Sequence, residues 1–139
     1  MTSFLTPLAP HFHARSGVES VQSFDSVEAD LGVVLPADYK AFLMWANGGE
    51  TLPPLPRYAF YELGALVPRR ADGQPPDVLE IATDDSDGFA FDLRVKQAEA
   101  SYPVVSYPLG DTTREAVELV ADDFQQFLAI IQNPSSRYA

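Results

Sequence analysis

Apolar residues recur at helical spacing in three segments of the chain, and the first segment lies near the N-terminus. Phe24, Val27 and Leu31 fall on one face of a helix predicted for residues 17–31. Ser16 and Glu19 have the spacing of a capping box, in which each side chain accepts a hydrogen bond from the other residue's amide. Gly32 follows the helix, where a left-handed residue commonly ends one.

A second helix is predicted for residues 36–46. Pro36 suits the first helical position, and Asp38 favours the positive end of the helix dipole. The helix should end at the sequence Asn47-Gly48-Gly49. Four residues at i, i+3, i+4 and i+7 form its apolar stripe: Tyr39, Phe42, Leu43 and Ala46.

The third helix is predicted to begin near Asp122, which has capping spacing to Gln125, and to end before Pro134. Its apolar stripe consists of Phe124, Phe127, Leu128 and Ile131.

Between the second and third helices the pattern is typical of strands. Phe89, Phe91 and Leu93 alternate with polar or small residues, which predicts one face towards the core and one, with Ala90 and Asp92, towards solvent. The turn signal Asp87-Gly88 precedes this strand and predicts a hairpin over residues 78–93. Residues 68–76 are predicted to form an exposed loop. Candidate strands cover residues 57–61, 78–82, 89–93, 104–107 and 116–120.

This order of elements, without regular βαβ alternation, predicts the α+β class. The expected architecture has two N-terminal helices, a mainly antiparallel sheet of about five strands, and a C-terminal helix. The chain of 139 residues suits a single domain over residues 1–139, with its core at about residues 18–131.

Charge restricts the partners that such a domain can bind. Nine Lys and Arg against 20 Asp and Glu give a formal charge of -11, which disfavours nucleic acid and favours a basic protein surface. The alternative is that this charge serves solubility alone. The chain has no cysteine, no usual secretory signal and no apolar run of the ~20 residues that span a bilayer, so a cytoplasmic location is expected.

Two clusters resemble metal sites at first inspection. The acidic run before Gly88 fails the EF-hand pattern, because Thr83 would be the first ligand and Arg94 the last. His11 and His13 lie in a proline-flanked segment that is predicted to be a frayed tail. No nucleophile elbow, P-loop or zinc helix is present. We therefore expect no metal, no cofactor and no catalytic residues.

Residues 31–43, LGVVLPADYKAFL, closing on Asn47-Gly48-Gly49, closely resemble the hallmark of the SUKH superfamily. Its pattern is a glycine-ended helix, Leu-Pro, an acidic residue, Tyr, Phe-Leu and then Asn-Gly. Residues 81–93 look like the family's central hairpin and residues 120–128 like its final helix, although many members have Ser at the position of Asp123. The resemblance covers about residues 18–131.

The resemblance implies an α+β fold and a protein-binding role. It further implies an immunity protein that neutralises a cognate polymorphic toxin of the nuclease or deaminase class. The alternative is a regulatory or scaffold module that binds an endogenous protein, as in the fungal cell-wall assembly regulators. No particular oligomeric state is predicted.

Two sets of residues are singled out by this reasoning. The structural motif should pack the core or permit the required backbone geometry, although the Tyr39 hydroxyl could instead face a groove. It comprises Gly32, Leu35, Pro36, Tyr39, Phe42, Leu43, Asn47 and Gly48. The candidate partner-binding residues are Asp84, Asp85, Asp87 and Glu62 for electrostatic steering, with Tyr58, Tyr61 and Trp45 as aromatic anchors. Trp45 is equally suited to filling the core.

Overall fold

A computed structural model describes residues 3–14, 22–67, 77–95, 101–111 and 113–133. These residues form three α-helices and one seven-stranded antiparallel sheet, in which every strand pairs with its neighbour in the chain. The helices are α1 (Gln22–Leu31), α2 (Ala37–Trp45) and α3 (Phe124–Gln132). The strands are β1 (Phe12–Ala14), β2 (Gly49–Thr51), β3 (Ala59–Phe60), β4 (Val78–Thr83), β5 (Asp87–Asp92), β6 (Val104–Pro108) and β7 (Glu118–Ala121).

The α+β class agrees with the sequence prediction, but the strand number and the helix arrangement differ. The described chain has seven strands instead of about five, because β1 and β2 were not predicted. The helices α1 and α2 lie between these two strands and do not precede the whole sheet. Strands of three residues are too short to show the alternation by which strands are recognised in a sequence.

The N-terminal segment is part of the fold, so its prediction as a frayed tail is wrong. Leu5, Leu8 and Phe12 of β1 are buried in the main core. His13 of β1 pairs with Glu50 of β2. The core therefore extends well before residue 18.

The helix ends follow local sequence signals. Gly32 has a φ of 68° and its N–H donates to the Glu28 carbonyl, which ends α1. The α3 cap is Asp123, one residue later than predicted, because its carboxylate accepts the Gln126 N–H at 2.8 Å. The capping-box residues Ser16 and Glu19 and the loop of residues 68–76 lie outside the described residues.

The predicted hairpin is formed by β4 and β5, but its turn lies earlier than Asp87-Gly88. The Asp84 carboxylate accepts the N–H groups of Ser86 and Asp87 at 2.8 and 2.7 Å, which closes the chain before Asp87. Both Asp87 and Gly88 belong to β5, where Gly88 pairs with Thr83 and Tyr107.

Strand β5 is buried on both faces, contrary to the expectation that one face meets solvent. Phe89 and Phe91 join the main core beneath the three helices. Ala90 belongs to a second, smaller cluster on the opposite face, which includes Val105. Asp92 is also buried, and its carboxylate pairs with the guanidinium of Arg114, which offsets the loss of solvation. The segment from Arg114 to Val117, more than 20 residues later in the chain, therefore buries the second face of this strand.

Candidate functional site: the helix-free face of the sheet

The sheet has one face that none of the three α-helices covers, although the short segment with Arg114 and Ala116 packs against part of it. Alternating strand residues separate into the main core, which contains the apolar faces of α1 to α3, and a smaller cluster on the other side. We call this other side the helix-free face. The strand register places on it Ala59, Glu80, Gly88, Ala90, Val105, Tyr107 and Leu119.

A buried carboxyl group lies at the centre of the helix-free face. The hydroxyl of Tyr61 donates to Glu80 Oε2 at 2.5 Å, and the hydroxyl of Tyr107 donates to Glu80 Oε1. Gly88 makes room for this arrangement, because a Cβ there would lie 2.5 Å from Glu80 Oε1 and 2.9 Å from the Tyr107 ring. The three side chains brace β4 against β6 and hold Tyr61 in place.

One end of the helix-free face is a cleft of about 380 Å³, which we call the acidic cleft. Glu50 and Glu62 are its carboxylates, and Tyr61 forms part of its wall. Carboxylates on the wall of such a cleft accept charge-assisted hydrogen bonds from Lys and Arg side chains. The lining residues are His13, Gly48, Gly49, Glu50, Ala59, Phe60, Tyr61, Glu62 and Ala65.

The acidic cleft continues past Ala59 towards the β4–β5 turn. Asp84 and Asp85 line a smaller depression that shares Ala59 with the acidic cleft. Arg57 bridges the two sides, with Nη2 3.0 Å from Glu50 Oε1 and Nη1 3.7 Å from Asp85 Oδ1. The hydrogen bond to Glu50 and the nearby carboxylates raise the pKa of Arg57, so this guanidinium stays charged.

The chain turn after α2 positions the Glu62 wall of the acidic cleft. The Asn47 side-chain oxygen accepts the Leu63 N–H at 2.7 Å. Gly48 has a φ of 91°, and a Cβ there would lie 3.1 Å from the Glu62 nitrogen. The Asn-Gly pair therefore allows the segment of Glu62 and Leu63 to approach closely.

The other end of the helix-free face is a cleft of about 390 Å³, which we call the apolar cleft. Its exposed apolar members are Leu119, with 67% of its surface accessible, and Val95, with 48%. Arg114 lies in this cleft, held by Asp92 at 2.5 Å between Nη2 and Oδ2. The lining residues are Asp92, Val95, Pro103, Val105, Arg114, Val117, Leu119 and Asp122.

The described residues contain no cluster of three or more His, Asp or Glu side chains that could hold a metal ion. None of the described helices is both long and apolar enough to span a bilayer.

Comparison with protein families decides what kind of domain this is. The sequence model of the SMI1 / KNR4 family (SUKH-1) matches residues 20–130, which is most of the chain. The chain belongs to this family. The family is generally non-enzymatic, and membership indicates a protein-interaction domain. A comparison with curated proteins found no significant match.

In this SUKH-1 domain the hallmark motif is mostly buried and does not form an open surface. Five of its side chains lie in the interior: Leu35, Pro36, Tyr39, Phe42 and Leu43. The Tyr39 hydroxyl faces no groove, since it is fully buried with no described hydrogen-bond partner. Glu28 fixes the start of the motif, because its carboxylate accepts the Leu35 N–H at 2.6 Å and pairs with Lys40 at 3.1 Å.

The SUKH-1 fold brings together four of the predicted partner-binding residues. Asp84, Asp85, Glu62 and Tyr61 surround Ala59 at the acidic end of the helix-free face. Asp87 is half-buried in the first position of β5, beside these residues.

The other two aromatic candidates do not lie on the helix-free face. Tyr58 is only 7% exposed and its ring packs against Phe89 and Phe127 in the core, so its prediction as a surface anchor is wrong. Trp45 is half-buried on the helix side, with its ring centroid 5.5 Å from that of Phe12.

Sequence reasoning missed several residues of the SUKH-1 helix-free face. Glu50 and His13 were missed because their strands are very short. Glu80 did carry a signal, since an acidic residue in an otherwise apolar strand is either paired or exposed. Its partner Tyr107 is 27 residues away in sequence, so the pairing itself required the fold.

Proposed function

We propose that this SUKH-1 domain binds a basic surface of a protein partner through the acidic end of its helix-free face. The observation that carries the proposal is the grouping of carboxylates around Ala59. Three carboxylates surround this position, those of Glu50, Glu62 and Asp85. The guanidinium of Arg57 lies among them and pairs with Glu50 and Asp85. With a formal charge of -11 on the whole chain, the surface is complementary to Lys and Arg side chains.

The structural framework suits a preformed binding surface. The acidic cleft rests on β1, β2 and β3, and the Asn47 and Gly48 contacts hold its Glu62 wall. Tyr61 is anchored by Glu80 and supplies an aromatic surface beside the carboxylates. A surface that is ordered before binding loses little conformational entropy when the partner docks.

Within this role, we propose that the domain is a cytoplasmic immunity protein that neutralises a cognate polymorphic toxin of the nuclease or deaminase class. Enzymes that act on nucleic acids carry basic substrate-binding surfaces, because they must contact phosphate groups. An acidic surface can occupy such a site and exclude the nucleic acid. The alternative is a regulatory module for an endogenous protein, and it uses the same acidic surface.

Association with the partner tests the binding proposal. The double variant Glu62→Gln with Asp85→Asn removes two exposed charges from the acidic end. It should slow association with the partner, and the association rate of the wild type should fall as salt rises. The matched control is Asp25→Asn with Asp30→Asn, which removes two exposed charges from α1 on the helix side. Equal effects of the two variants would show that net charge acts without a defined site.

Co-expression separates immunity from regulation. If a protein encoded beside this chain carries a basic, toxin-like C-terminal domain, that domain is expressed alone or together with this chain, and cell survival is measured. Under the immunity proposal, survival requires the intact domain, and the acidic-end variant protects less well than the α1 control. Equal killing with and without the domain, with no complex at low salt, would reject immunity against that toxin and favour the regulatory alternative.

A further inference from the structure

Strand β7 ends the sheet. No strand among the described residues pairs with its outer edge. Glu118 and Leu119 are both exposed there. Natural edge strands are commonly protected from further pairing by Lys, Pro or a covering segment. Strand β7 is short, carries the charged Glu118, and its register against β6 shifts between Val104 and Val105. It contains neither Lys nor Pro, so each of its four residues keeps a backbone N–H group for pairing.

The apolar cleft lies directly beside this edge. Leu119 pairs across the sheet with Val105, and both side chains line the cleft together with Val95 and Val117. Leu119 is the most exposed large apolar side chain among the described residues. Adjacent exposed apolar side chains at a concave surface are typical of a docking site.

Charge decides what kind of segment fits this edge. Arg114 is the basic residue that lines the cleft, and its guanidinium already forms an ion pair with the buried carboxylate of Asp92. Exposed carboxylates flank the edge at Glu115, Glu118 and Asp122. Two copies of this chain, each with a formal charge of -11, would repel one another, so a second copy is a poor occupant. A basic segment is complementary to the edge.

We propose that the β7 edge and the apolar cleft together bind an extended segment of a partner protein with alternating apolar and basic side chains. The segment adds as an eighth strand beside β7, and its main chain forms hydrogen bonds with the strand edge. Its apolar side chains enter the cleft next to Leu119. The alternate, basic side chains of the segment point to the opposite face of the sheet, which is the face of Glu118. There they can form ion pairs with the Glu118 carboxylate. This site is separate from the acidic cleft.

The probe for this site is a fluorescently labelled peptide in which Lys and Val alternate over eight residues. Its affinity for the full chain is measured by fluorescence anisotropy at ~0.15 M salt, where distant charge effects are largely screened. We expect binding by the wild type. Leu119→Lys should weaken it by about tenfold or more, equivalent to ~1.4 kcal/mol or more, because it removes the apolar contact and adds a repelling charge. Amide shifts in the NMR spectrum should be largest along β7.

Three controls make the result specific. Met44→Lys introduces the same side chain at an exposed apolar position of α2, 53% accessible, and should leave the affinity unchanged. A peptide with Pro in place of one central Val and the Lys next to it should bind poorly. Successive N–H groups of a strand point to opposite edges, so at least one of the two Pro residues removes an N–H that pairs with β7. A peptide with Glu in place of Lys should not bind. Thermal unfolding verifies that both protein variants fold.

Several results would overturn the proposal. These are no measurable binding to the wild type, equal affinity of Leu119→Lys, or equal affinity of the Pro-containing peptide. If the variant Glu62→Gln with Asp85→Asn were the one that lost binding, the peptide would occupy the acidic cleft and this proposal would be wrong while the proposed function stands. A concentration-dependent dimer of the wild type that Leu119→Lys abolishes would identify a second copy as the occupant.

Discussion

The side-chain oxygen of Asn47 accepts a hydrogen bond from the backbone N–H of Leu63 at 2.7 Å and so joins the end of α2 to the wall of the acidic cleft. These residues are 16 positions apart in sequence. The contact gives the Asn of the hallmark motif a structural role at the candidate site. It also connects the folding of the motif with the position of Glu62.

Replacement of Asn47 tests this role. Asn47→Ala leaves the Leu63 N–H without its acceptor and should lower the free energy of unfolding by roughly 1 to 3 kcal/mol. Asn47→Asp keeps an acceptor oxygen and should cost less. Chemical denaturation measures both values, and the amide shifts of Glu62 and Leu63 report on the cleft wall. If the Ala variant were as stable as the wild type, the hydrogen bond would contribute nothing.

Phe42 should be a main determinant of stability. Its ring is fully buried and lies 5.1 to 6.0 Å, between centroids, from the rings of Phe60, Phe124, Phe12 and Trp45. Phe42→Ala should lower the free energy of unfolding by roughly 3 to 5 kcal/mol. The matched control is Met44→Ala, exposed in the same helix, which should change it by less than about 0.5 kcal/mol. A loss well under ~1 kcal/mol for Phe42→Ala would contradict the burial of its ring among these aromatic side chains.

Two Tyr→Phe variants should have opposite effects on stability. The Tyr39 hydroxyl is buried with no described partner, so Tyr39→Phe removes an unsatisfied polar group and should stabilise the fold by about 1 kcal/mol. The Tyr107 hydroxyl donates to Glu80, so the same change there should destabilise by roughly 1 to 3 kcal/mol. Thermal and chemical unfolding measure both. A loss of stability in Tyr39→Phe would indicate that its hydroxyl has a partner in the folded protein.

The pH dependence of stability should carry a contribution from Asp38. Burial, aided by the charge of Asp123, raises the pKa of Asp38 above its ordinary value of 3.8. A carboxyl whose folded pKa is raised contributes stability below its unfolded pKa, and that contribution is lost as pH rises through the folded pKa. Asp38→Asn should therefore gain in stability relative to the wild type as pH rises from about 3.5 to 7.

The Asp38 experiment compares unfolding free energies of the two proteins across this pH range. Asn retains an oxygen that can accept the Tyr39 N–H, as the Asp38 carboxylate does at 2.8 Å, so the local hydrogen bond is preserved. Asp25→Asn serves as the control at an exposed position of α1. A stability difference between Asp38→Asn and the wild type that does not change with pH would contradict the raised pKa.

The helices were largely predictable because their signals are local. The second predicted helix, residues 36–46, corresponds to α2 at Ala37–Trp45, since a 3.6-residue apolar period and flanking Pro and Gly define such a helix within its own sequence. Gly32 likewise ends α1 in the left-handed conformation. The cap of α3 was misplaced by one residue because Asp122 and Asp123 both have suitable chemistry.

The two faces of the sheet were harder to predict. Ala90 and Asp92 alternate with Phe89 and Phe91 in the manner of a half-exposed strand, but the segment with Arg114 covers them. Tyr58 has an amphipathic side chain, and only the presence of Phe89 and Phe127 around it shows that it is buried.

By itself, the sequence determined the α+β class, the apolar stripes of the helices, the SUKH-1 hallmark and the excess of acidic residues. Each of these depends on neighbours within a few residues or on composition, so no knowledge of distant contacts is needed. Only the tertiary structure decided which acidic residues share a surface. The pairing of Ala59 with Thr83 brings Glu62 to the same end of the sheet as Asp84 and Asp85. Strand pairing joins residues that are remote in the chain, and local sequence patterns do not encode which strands will meet.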